Sequence, residues 1–484
     1  MTLTRTFRAA SLAILIAHAA TAIAQTKNTQ TQSAPGQHWV ATWGTAQTPA
    51  RIPLPAAARA TQPTAPAAVM NPTAPVIPIA PAVLAPSQTV GRRYNLPPGV
   101  PSFNNQTVRM SLRASIGGDS VRIRLFNTIG GPTITLGAAH IALHGKDSAI
   151  IAGSDRALTF GGKTSATMYG GQVLLSDPVK LTIAPLADLS VSLYFPGETG
   201  VPTSHALGLQ PTYTSAAGDF TGASEIANPS NVSEAYYFLE GVDVLAPSDA
   251  AALVTFGDSI TDGDQSTPGA YAMWPSVLAR RLHENKATVH VAIVNEGISG
   301  NRVLGDNGSG LSRWIHQAID VPGVKWITVL EGINDINGAM RPSTAPPPPG
   351  TPSPAPFSAD SLISSYQQMI EIAHEHGIKV IGCTITPEGG SSNYKDAGEE
   401  IREAANDWIR AKGHFDMVID FDTATRDSAD PKRFSAAAES PDMLHPGDAG
   451  YKMMANAINL ALFAPQTSAS ASASSSSSST TSKN

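Results

Sequence analysis

A serine follows an apolar run in the octapeptide Phe-Gly-Asp-Ser-Ile-Thr-Asp-Gly, residues 256–263. The preceding run, 251–255, predicts a buried parallel strand. A serine directly after such a strand lies at the carboxyl edge of the sheet, where open α/β sheets bind their ligands. Ser259 is therefore a candidate nucleophile. The alternative is an ordinary strand-to-helix turn, since Asp and Ser are common helix caps and Gly is common in turns.

A serine nucleophile needs a base and a group that orients the base. Asp442 precedes His445 by three residues, in a predicted loop before the last apolar-periodic segment. An aspartate at this spacing can accept a hydrogen bond from Nδ1–H and leave Nε2 facing a serine. A solvated or capping histidine is the alternative, but the chain order Ser, Asp, His favours the catalytic interpretation.

Two further strand ends carry groups that could stabilise an oxyanion. Gly300 comes after the strand-like run 289–294, and a glycine there lets a backbone N–H approach a substrate closely. Asn334 follows the strand-like run 326–330, and its neutral amide can donate to developing negative charge. Each segment alone is typical of a turn. Because both would lie at the same sheet edge as Ser259, together they predict an oxyanion hole.

With these four motifs in order, the chain resembles the SGNH hydrolases, also called GDSL esterases. The motifs are Gly-Asp-Ser, Asn-x-Gly-x-x-Gly, Gly-x-Asn-Asp and Asp-x-x-His, and the resemblance covers roughly residues 250–463, under half of the chain. The resemblance implies a role for each site residue: nucleophile Ser259, base His445, orienting carboxylate Asp442, and an oxyanion hole from the backbone N–H groups of Ser259 and Gly300 and the side chain of Asn334.

The same region predicts the fold. Strand-like runs alternate with segments of helical apolar spacing, which indicates a parallel sheet with right-handed crossovers. The resemblance to the SGNH hydrolases implies that this sheet belongs to a three-layer α/β/α, flavodoxin-like domain over 249–464. The last apolar stripe, Met454–Leu462, predicts one final amphipathic helix.

More than two hundred residues before this domain have a different pattern. Val108, Met110 and Leu112 alternate with polar neighbours, and similar runs recur between glycine pairs. This period-two pattern predicts an antiparallel, β-sandwich-like domain over 25–248. Such a domain could bind carbohydrate or simply pack beside the active site, and both interpretations stay open.

The chain ends and two interruptions have distinct compositions. Residues 1–24 have a basic start, an apolar run and a small-x-small site, which is typical of a secretory signal peptide; a retained signal-anchor is the alternative. We therefore expect a secreted or periplasmic protein without stable membrane insertion. An Ala/Pro-rich insertion occupies 53–86, and a Ser-rich tail predicted to be disordered occupies 465–484. A Pro-rich loop at 342–356 could shape access to the site or be inert.

The composition limits the partners. The formal net charge of −6 argues against nucleic acid and anionic membranes. The single cysteine, Cys383, cannot form an internal disulfide and is expected to be a buried apolar residue. No cluster has metal-ligand spacing, so neither a metal nor another cofactor is expected.

The substrate class has several candidates. Export together with an accessory β-domain favours deacetylation of carbohydrate or hydrolysis of other short-chain esters. A lysophospholipase, another lipid esterase or a thioester hydrolase is the enzymatic alternative. A secreted carbohydrate-binding protein that has lost catalysis is the alternative of another class. The retained Ser259, Asp442 and His445 argue against that last possibility.

Overall fold

The computed structural model describes residues 36–48, 102–305, 308–341 and 356–464. The predicted signal peptide 1–24, the Ala/Pro-rich insertion 53–86 and the tail 465–484 lie outside these ranges. The Pro-rich loop 342–356 does too, apart from its last residue. Those four interpretations stay predictions.

The first part of the described chain is built from antiparallel strands. Their bounds are β1 Gln37–Gly44, β2 Gln106–Arg113, β3 Gly118–Phe126, β4 Ile134–Leu136, β5 Ala138–Leu143, β6 Arg156–Ala157, β7 Ala166–Met168, β8 Val173–Leu175, β9 Val179–Ile183, β10 Asp188–Phe195, β11 Ser204–His205, β12 Thr212–Ala217, β13 Asn231–Ser233, β14 Tyr236–Tyr237 and β15 Leu239–Pro247.

Two larger sheets hold most of these strands. One has the order β1-β15-β3-β8, with β9 also paired to β3; the other has the order β13-β12-β2-β10-β5-β6. Val121 and Val242 of the first sheet and Val108 and Val191 of the second belong to one buried apolar cluster. The two sheets therefore pack face to face, and the prediction of an antiparallel β-rich region is confirmed.

The polar positions of β2 are covered rather than exposed to solvent. The side chain of Arg109 is fully buried. Its guanidinium donates to Ser192 Oγ at 2.8 Å and to the carbonyls of Ser148 and Ala223, both at 2.7 Å. The cationic group is retained in the interior because neighbouring carbonyl and hydroxyl oxygens accept its N–H groups.

The second part alternates strands with helices. Its elements are β16 Ala251–Gly257, α1 Ser259–Asp262, α2 Trp274–Glu284, β17 Val291–Gly297, α3 Gly310–Trp314 with a π-helical continuation Ile315–Ile319, β18 Val324–Leu330, α4 Ile333–Ala339, α5 Ala359–Glu375, β19 Lys379–Cys383, α6 Asp396–Arg410, β20 Met417–Ile419, α7 Phe421–Thr425, α8 Asp448–Ala457 and a 3-10 turn Leu460–Phe463.

Five parallel strands form the sheet of this part, in the order β17-β16-β18-β19-β20. This is the flavodoxin-like order, and the prediction of that fold is confirmed. The chain reverses its winding at β16, so the carboxyl ends of β16, β17 and β18 meet where such folds bind ligands.

Two details of the α/β part bear on the sequence predictions. The expected last helix is interrupted: α8 ends at Ala457, and the side chain of Asn459 then accepts from Ala461 N–H to begin the 3-10 turn. Cys383 is a buried free thiol, and burial raises its pKa. No helix in the described part of the chain is both long and apolar enough to span a bilayer.

The β-rich part covers the open edge of the parallel sheet. Strand β17 is an edge strand, and Ser115 Oγ accepts a hydrogen bond from its Ile293 N–H at 2.9 Å. Thr45 forms a parallel bridge with Asn295 on the same strand. The described residues belong to one compact unit. The domain boundary expected at 248/249 stays a prediction.

Candidate active site

Ser259 occupies the first position of α1, directly after β16. The preceding Asp258 caps this short helix, because its side chain accepts from the N–H of Ile260 at 2.9 Å. Ser259 is 6% exposed, so its hydroxyl lies at the base of the site rather than on an open surface. Burial raises the pKa of Asp258 to about 7, against the opposing hydrogen bond from Ile260.

Ser259 contacts a histidine that is far away in the sequence. Oγ of Ser259 lies 2.8 Å from Nε2 of His445, within hydrogen-bond distance. The other ring nitrogen of His445, Nδ1, lies 2.7 Å from Oδ2 of Asp442. The structure thus brings the predicted nucleophile, base and orienting carboxylate into one continuous line.

Asp442 is held by its own loop. Its Oδ1 accepts from the N–H groups of Leu444 and His445, both at 3.0 Å, and from Ser440 Oγ at 2.8 Å. Met443 has a φ of +56°, a conformation that folds the loop back on the carboxylate. Burial would raise the pKa of Asp442, but hydrogen bonds from the His445 ring and these backbone groups outweigh burial and lower it. The carboxylate is therefore charged at neutral pH.

The surroundings of His445 favour its protonated form. Burial alone would lower the pKa of this imidazole, but the hydrogen bond and charge of Asp442 and the charge of Asp264 outweigh burial and raise it. Oδ2 of Asp264 lies 3.6 Å from Nε2. An imidazolium formed by proton transfer from Ser259 would therefore be stabilised from both sides of the ring.

The predicted oxyanion donors lie at the ends of three neighbouring strands. A hydrogen bond from Asn301 N to Ile298 O, 3.0 Å long, closes a turn after β17. Gly300 takes the third position of that turn with a φ of +77°, which favours glycine. Its N–H belongs to the central peptide and is not used in closing the turn. Asn334 Nδ2 donates to Asn301 O at 2.9 Å, and the amide carries a second hydrogen that can be donated.

Arg313 was not singled out by the sequence, yet it ties the strand ends together. Its guanidinium donates to the carbonyls of Gly257 at 2.9 Å and Glu296 at 2.6 Å, and pairs with Glu331 Oε1 at 3.1 Å. Its Nε donates to Asn301 Oδ1 at 2.8 Å. These groups end or follow β16, β17 and β18. One buried cation thus fixes the three strand ends that carry the predicted donors, and it holds the residue whose carbonyl engages the Asn334 amide.

Acidic residues within the motifs fix the adjacent loops. Asp335, next to Asn334, accepts from the N–H groups of Val303 at 2.9 Å and Leu304 at 3.0 Å. Asp262, three residues after Ser259, accepts from the N–H and Oγ of Ser299 at 2.8 and 2.9 Å. Their place in the motifs was the only sequence signal of these contacts. Arg313 had none, because it lies outside the motifs in an ordinary helical segment.

Within the described ranges, no group of three or more His, Cys, Asp or Glu side chains is placed to hold a metal ion. The described site presents a hydroxyl, an imidazole, carboxylates and amide donors. The arrangement can remove a proton from a hydroxyl and stabilise negative charge beside it.

The motifs with this geometry lie in a stretch that matches a known family. Residues 255–453 match the model of the GDSL-like lipase/acylhydrolase family. The chain contains a GDSL-like lipase/acylhydrolase domain. The predicted resemblance is confirmed over this stretch, and the GDSL-like domain accounts for all four motifs.

Several solved structures resemble part of this chain. An acetylxylan esterase from Geobacillus stearothermophilus is 21% identical, with 43% of this chain and 91% of that chain covered and a TM-score of 0.32. An α/β hydrolase from the metagenome of Lake Arreo, Spain, is 22% identical, with 43% and 94% covered and a TM-score of 0.32. A GDSL-like lipase from Bacteroides thetaiotaomicron is 18% identical, with 42% and 84% covered and a TM-score of 0.30. Comparison with curated proteins gave no match.

Proposed function

We propose that this chain is a serine esterase that hydrolyses carboxylic esters through an acyl-enzyme. The observation that carries the proposal is the line from Asp442 to His445 to Ser259, with contacts of 2.7 and 2.8 Å. Nucleophile and base within hydrogen-bond reach, with the base oriented by a third group, are what acyl transfer requires.

The mechanism follows from these positions. Neutral His445 accepts the hydroxyl proton of Ser259 at Nε2 as Oγ attacks the ester carbonyl. The resulting oxyanion accepts from the N–H groups of Ser259 and Gly300 and from the amide of Asn334. Each such donor contributes about 3 kcal/mol in the transition state. The tetrahedral intermediate expels the alcohol, which takes the proton from His445, and leaves an acyl-serine.

Deacylation repeats these steps with water as the nucleophile. His445 removes a proton from a water molecule, which attacks the acyl carbonyl, and the same donors meet the second oxyanion. Protonated His445 then returns the proton to Oγ of Ser259. The carboxylic acid leaves and the enzyme is restored, so the cycle consumes only ester and water.

The test uses purified protein and p-nitrophenyl acetate. We expect turnover by the native chain and loss of nearly all of it in Ser259→Ala, while circular dichroism and the melting temperature stay the same. Asn456→Ala, an exposed change on α8, is the matched control and should retain full activity. Equal turnover by Ser259→Ala would overturn the proposal. Polysaccharide binding without hydrolysis of any ester would favour the non-catalytic alternative.

For the substrate we propose a short acyl group on a carbohydrate alcohol. Support comes from the predicted export signal, the adjoining β-rich sheets and the polar lining of the site, such as Asp264 beside His445. Acetate release from acetylated xylan or pectin should exceed fatty-acid release from lysophospholipid and hydrolysis of an acyl thioester. A preference for the lipid or the thioester would replace this substrate class and leave the esterase proposal intact.

Export rests on residues 1–24 alone. We propose that this segment is removed and that the mature chain begins at Gln25. N-terminal sequencing of the protein recovered from the periplasm or culture medium tests this. An intact Met1 on membrane-associated protein would favour the retained signal-anchor instead.

A further inference from the structure

A histidine of the β-rich part lies directly behind the candidate active site. His205, on the two-residue strand β11, is almost completely buried. Its Nε2 lies 3.0 Å from Oδ1 of Asp262, the last residue of α1. Ser259 is the first residue of the same helix. One side chain of the β-rich part therefore contacts α1 directly.

Both ring nitrogens of His205 face acceptors. Nδ1 lies 2.8 Å from the carbonyl oxygen of Ala46, and Nε2 lies near Asp262 Oδ1 and, at 3.3 Å, the carbonyl of Leu207. A carbonyl oxygen cannot donate, so Nδ1 must carry a hydrogen. Nε2 faces two further oxygens, Oδ1 of Asp262 and the carbonyl of Leu207, so a hydrogen on this nitrogen is favoured as well. The contacts of both ring nitrogens thus favour the imidazolium form of His205.

The charges around His205 agree with this protonation state. Burial alone would lower its pKa, but the charge of Asp262 and the hydrogen bonds to Asp262, Ala46 and Leu207 outweigh burial and raise it. The side chains of both partners are at most 5% exposed. A buried ion pair of this kind becomes costly when one partner is removed, because the other charge is left uncompensated.

The second oxygen of Asp262 holds the turn that carries an oxyanion donor. Oδ2 accepts from the N–H of Ser299 at 2.8 Å and from its Oγ at 2.9 Å. Ser299 directly precedes Gly300. Gly297 also packs against this aspartate so closely that a Cβ there would collide with the Asp262 backbone. The turn and the catalytic helix are therefore fixed to each other through Asp262.

We propose that His205 is a positioning residue for the oxyanion hole, acting through Asp262 and Ser299 on the N–H of Gly300. This inference rests on the proposed esterase function. The imidazolium holds the Asp262 carboxylate in one orientation, and the carboxylate holds the turn. The β-rich part thus contributes to catalysis without touching the substrate.

The proposal predicts a particular kinetic signature. Without the positive charge of His205, the Asp262 side chain turns to other donors and no longer accepts from Ser299. The N–H of Gly300 is then displaced from its position in the oxyanion hole. Loss of one oxyanion donor costs about 100- to 1000-fold in kcat, and displacement of one is expected to cost about 10- to 100-fold. KM should change little, since the donor acts on charge that develops only in the transition state.

The experiment compares His205→Gln with His140→Gln in the full chain. His140 forms another His–Asp pair in the β-rich part, with Asp155 at 2.9 Å, and serves as the matched control. We expect the about 10- to 100-fold fall in kcat on p-nitrophenyl acetate only in His205→Gln. The inhibition constant of methylboronic acid should rise by the same factor, because its serine adduct carries an oxyanion. Unchanged kcat and boronate inhibition in folded His205→Gln would overturn the proposal.

A double-mutant cycle with Ser299→Ala separates positioning from general destabilisation. If His205 acts through the Ser299 turn, the double variant loses less kcat than the product of the two single losses. A loss of kcat in the double variant equal to the product of the two single losses would overturn the proposal. If His205→Gln does not fold, the test rests on Ser299→Ala, which leaves the ion pair of His205 and Asp262 in place. This variant should weaken boronate inhibition at unchanged KM. Unchanged boronate inhibition would overturn the proposal.

The same measurements distinguish this inference from the proposed function. A native chain that neither hydrolyses the ester nor binds the boronate would show that the esterase proposal fails. A fully active native chain with an equally active, folded His205→Gln would show that only the positioning role fails.

Discussion

Oδ2 of Asp264 lies 3.6 Å from Nε2 of His445, the same nitrogen that contacts Ser259. A carboxylate at this position would stabilise the imidazolium that the proposed proton transfer creates. It also raises the pKa of His445, together with Asp442 and the charge of Asp258. A base with a raised pKa is neutral over a narrower range of pH, so this contact should be visible in the pH dependence.

The rate of the native chain should rise with pH through a limb above pH 6.5, the ordinary pKa of histidine, because the base must be neutral. Asp264→Asn removes one charge that favours the protonated form. The limb should therefore move to lower pH, and the maximal rate should fall. The measurement is kcat/KM for p-nitrophenyl acetate between pH 5 and 9. Since Asp258 also titrates near pH 7, the difference between the two profiles is the readout. Coinciding limbs would argue against the contact.

Asp442→Asn should lower kcat by about 1000- to 10000-fold, because an amide cannot hold the reacting tautomer of His445 or stabilise its positive charge. The variant should keep its fold, since the amide oxygen can still accept from the N–H groups of Leu444 and His445. Circular dichroism checks the fold, and fixed-time assays of ester hydrolysis measure kcat. Activity within tenfold of the native value would contradict the orienting role.

Asn334→Ala removes a neutral donor from the predicted oxyanion hole and should lower kcat by about 100- to 1000-fold with little change in KM. The exposed Asn456→Ala on α8 is the control for loss of an asparagine side chain. Boronate inhibition measured in parallel should weaken in Asn334→Ala alone. A rise in KM with unchanged kcat would instead mean that Asn334 binds the ground state.

Arg313→Met should destabilise the fold as well as lower kcat. The change leaves Glu331 buried without its cation, for which a loss of about 3–5 kcal/mol in the free energy of unfolding is typical. Urea unfolding measures this loss. Arg313→Met combined with Glu331→Gln should recover part of the stability, but kcat should stay low because the strand ends have lost their common donor. Full recovery of kcat in the double variant would count against the positioning of Asn301 by Arg313.

The sequence was informative where local spacing carries the chemistry. Asp442 and His445 are three residues apart, so their contact could be anticipated from one turn of chain. Ser259, Gly300 and Asn334 each follow an apolar run, and a parallel sheet brings such positions to one edge. The four motif positions could be predicted for these reasons, whereas the flavodoxin-like fold was implied by the family resemblance.

Contacts between distant side chains could not be anticipated in this way. His205 lies 57 residues before Asp262, and the sequence of the two-residue strand that carries it cannot be distinguished from that of a loop. Arg109 alternates with apolar neighbours as an exposed residue would, yet a distant segment folds over it. Periodicity specifies which way a side chain points but not what packs over it. The end of α8 at Ala457 was not predicted for a related reason. Apolar residues continue at helical spacing on both sides of Asn459, where the helix is already interrupted.

The edge of the parallel sheet has a consequence for how this chain could be divided or recombined. Ser115 and Thr45 occupy the outer side of β17, the strand from which the turn carrying Gly300 departs. A fragment of 249–464 would present that strand's N–H and C=O groups to solvent, and an uncovered edge of this kind pairs with other chains. Separated from Thr45 and Ser115, the fragment is therefore expected to be less soluble than the longer chain.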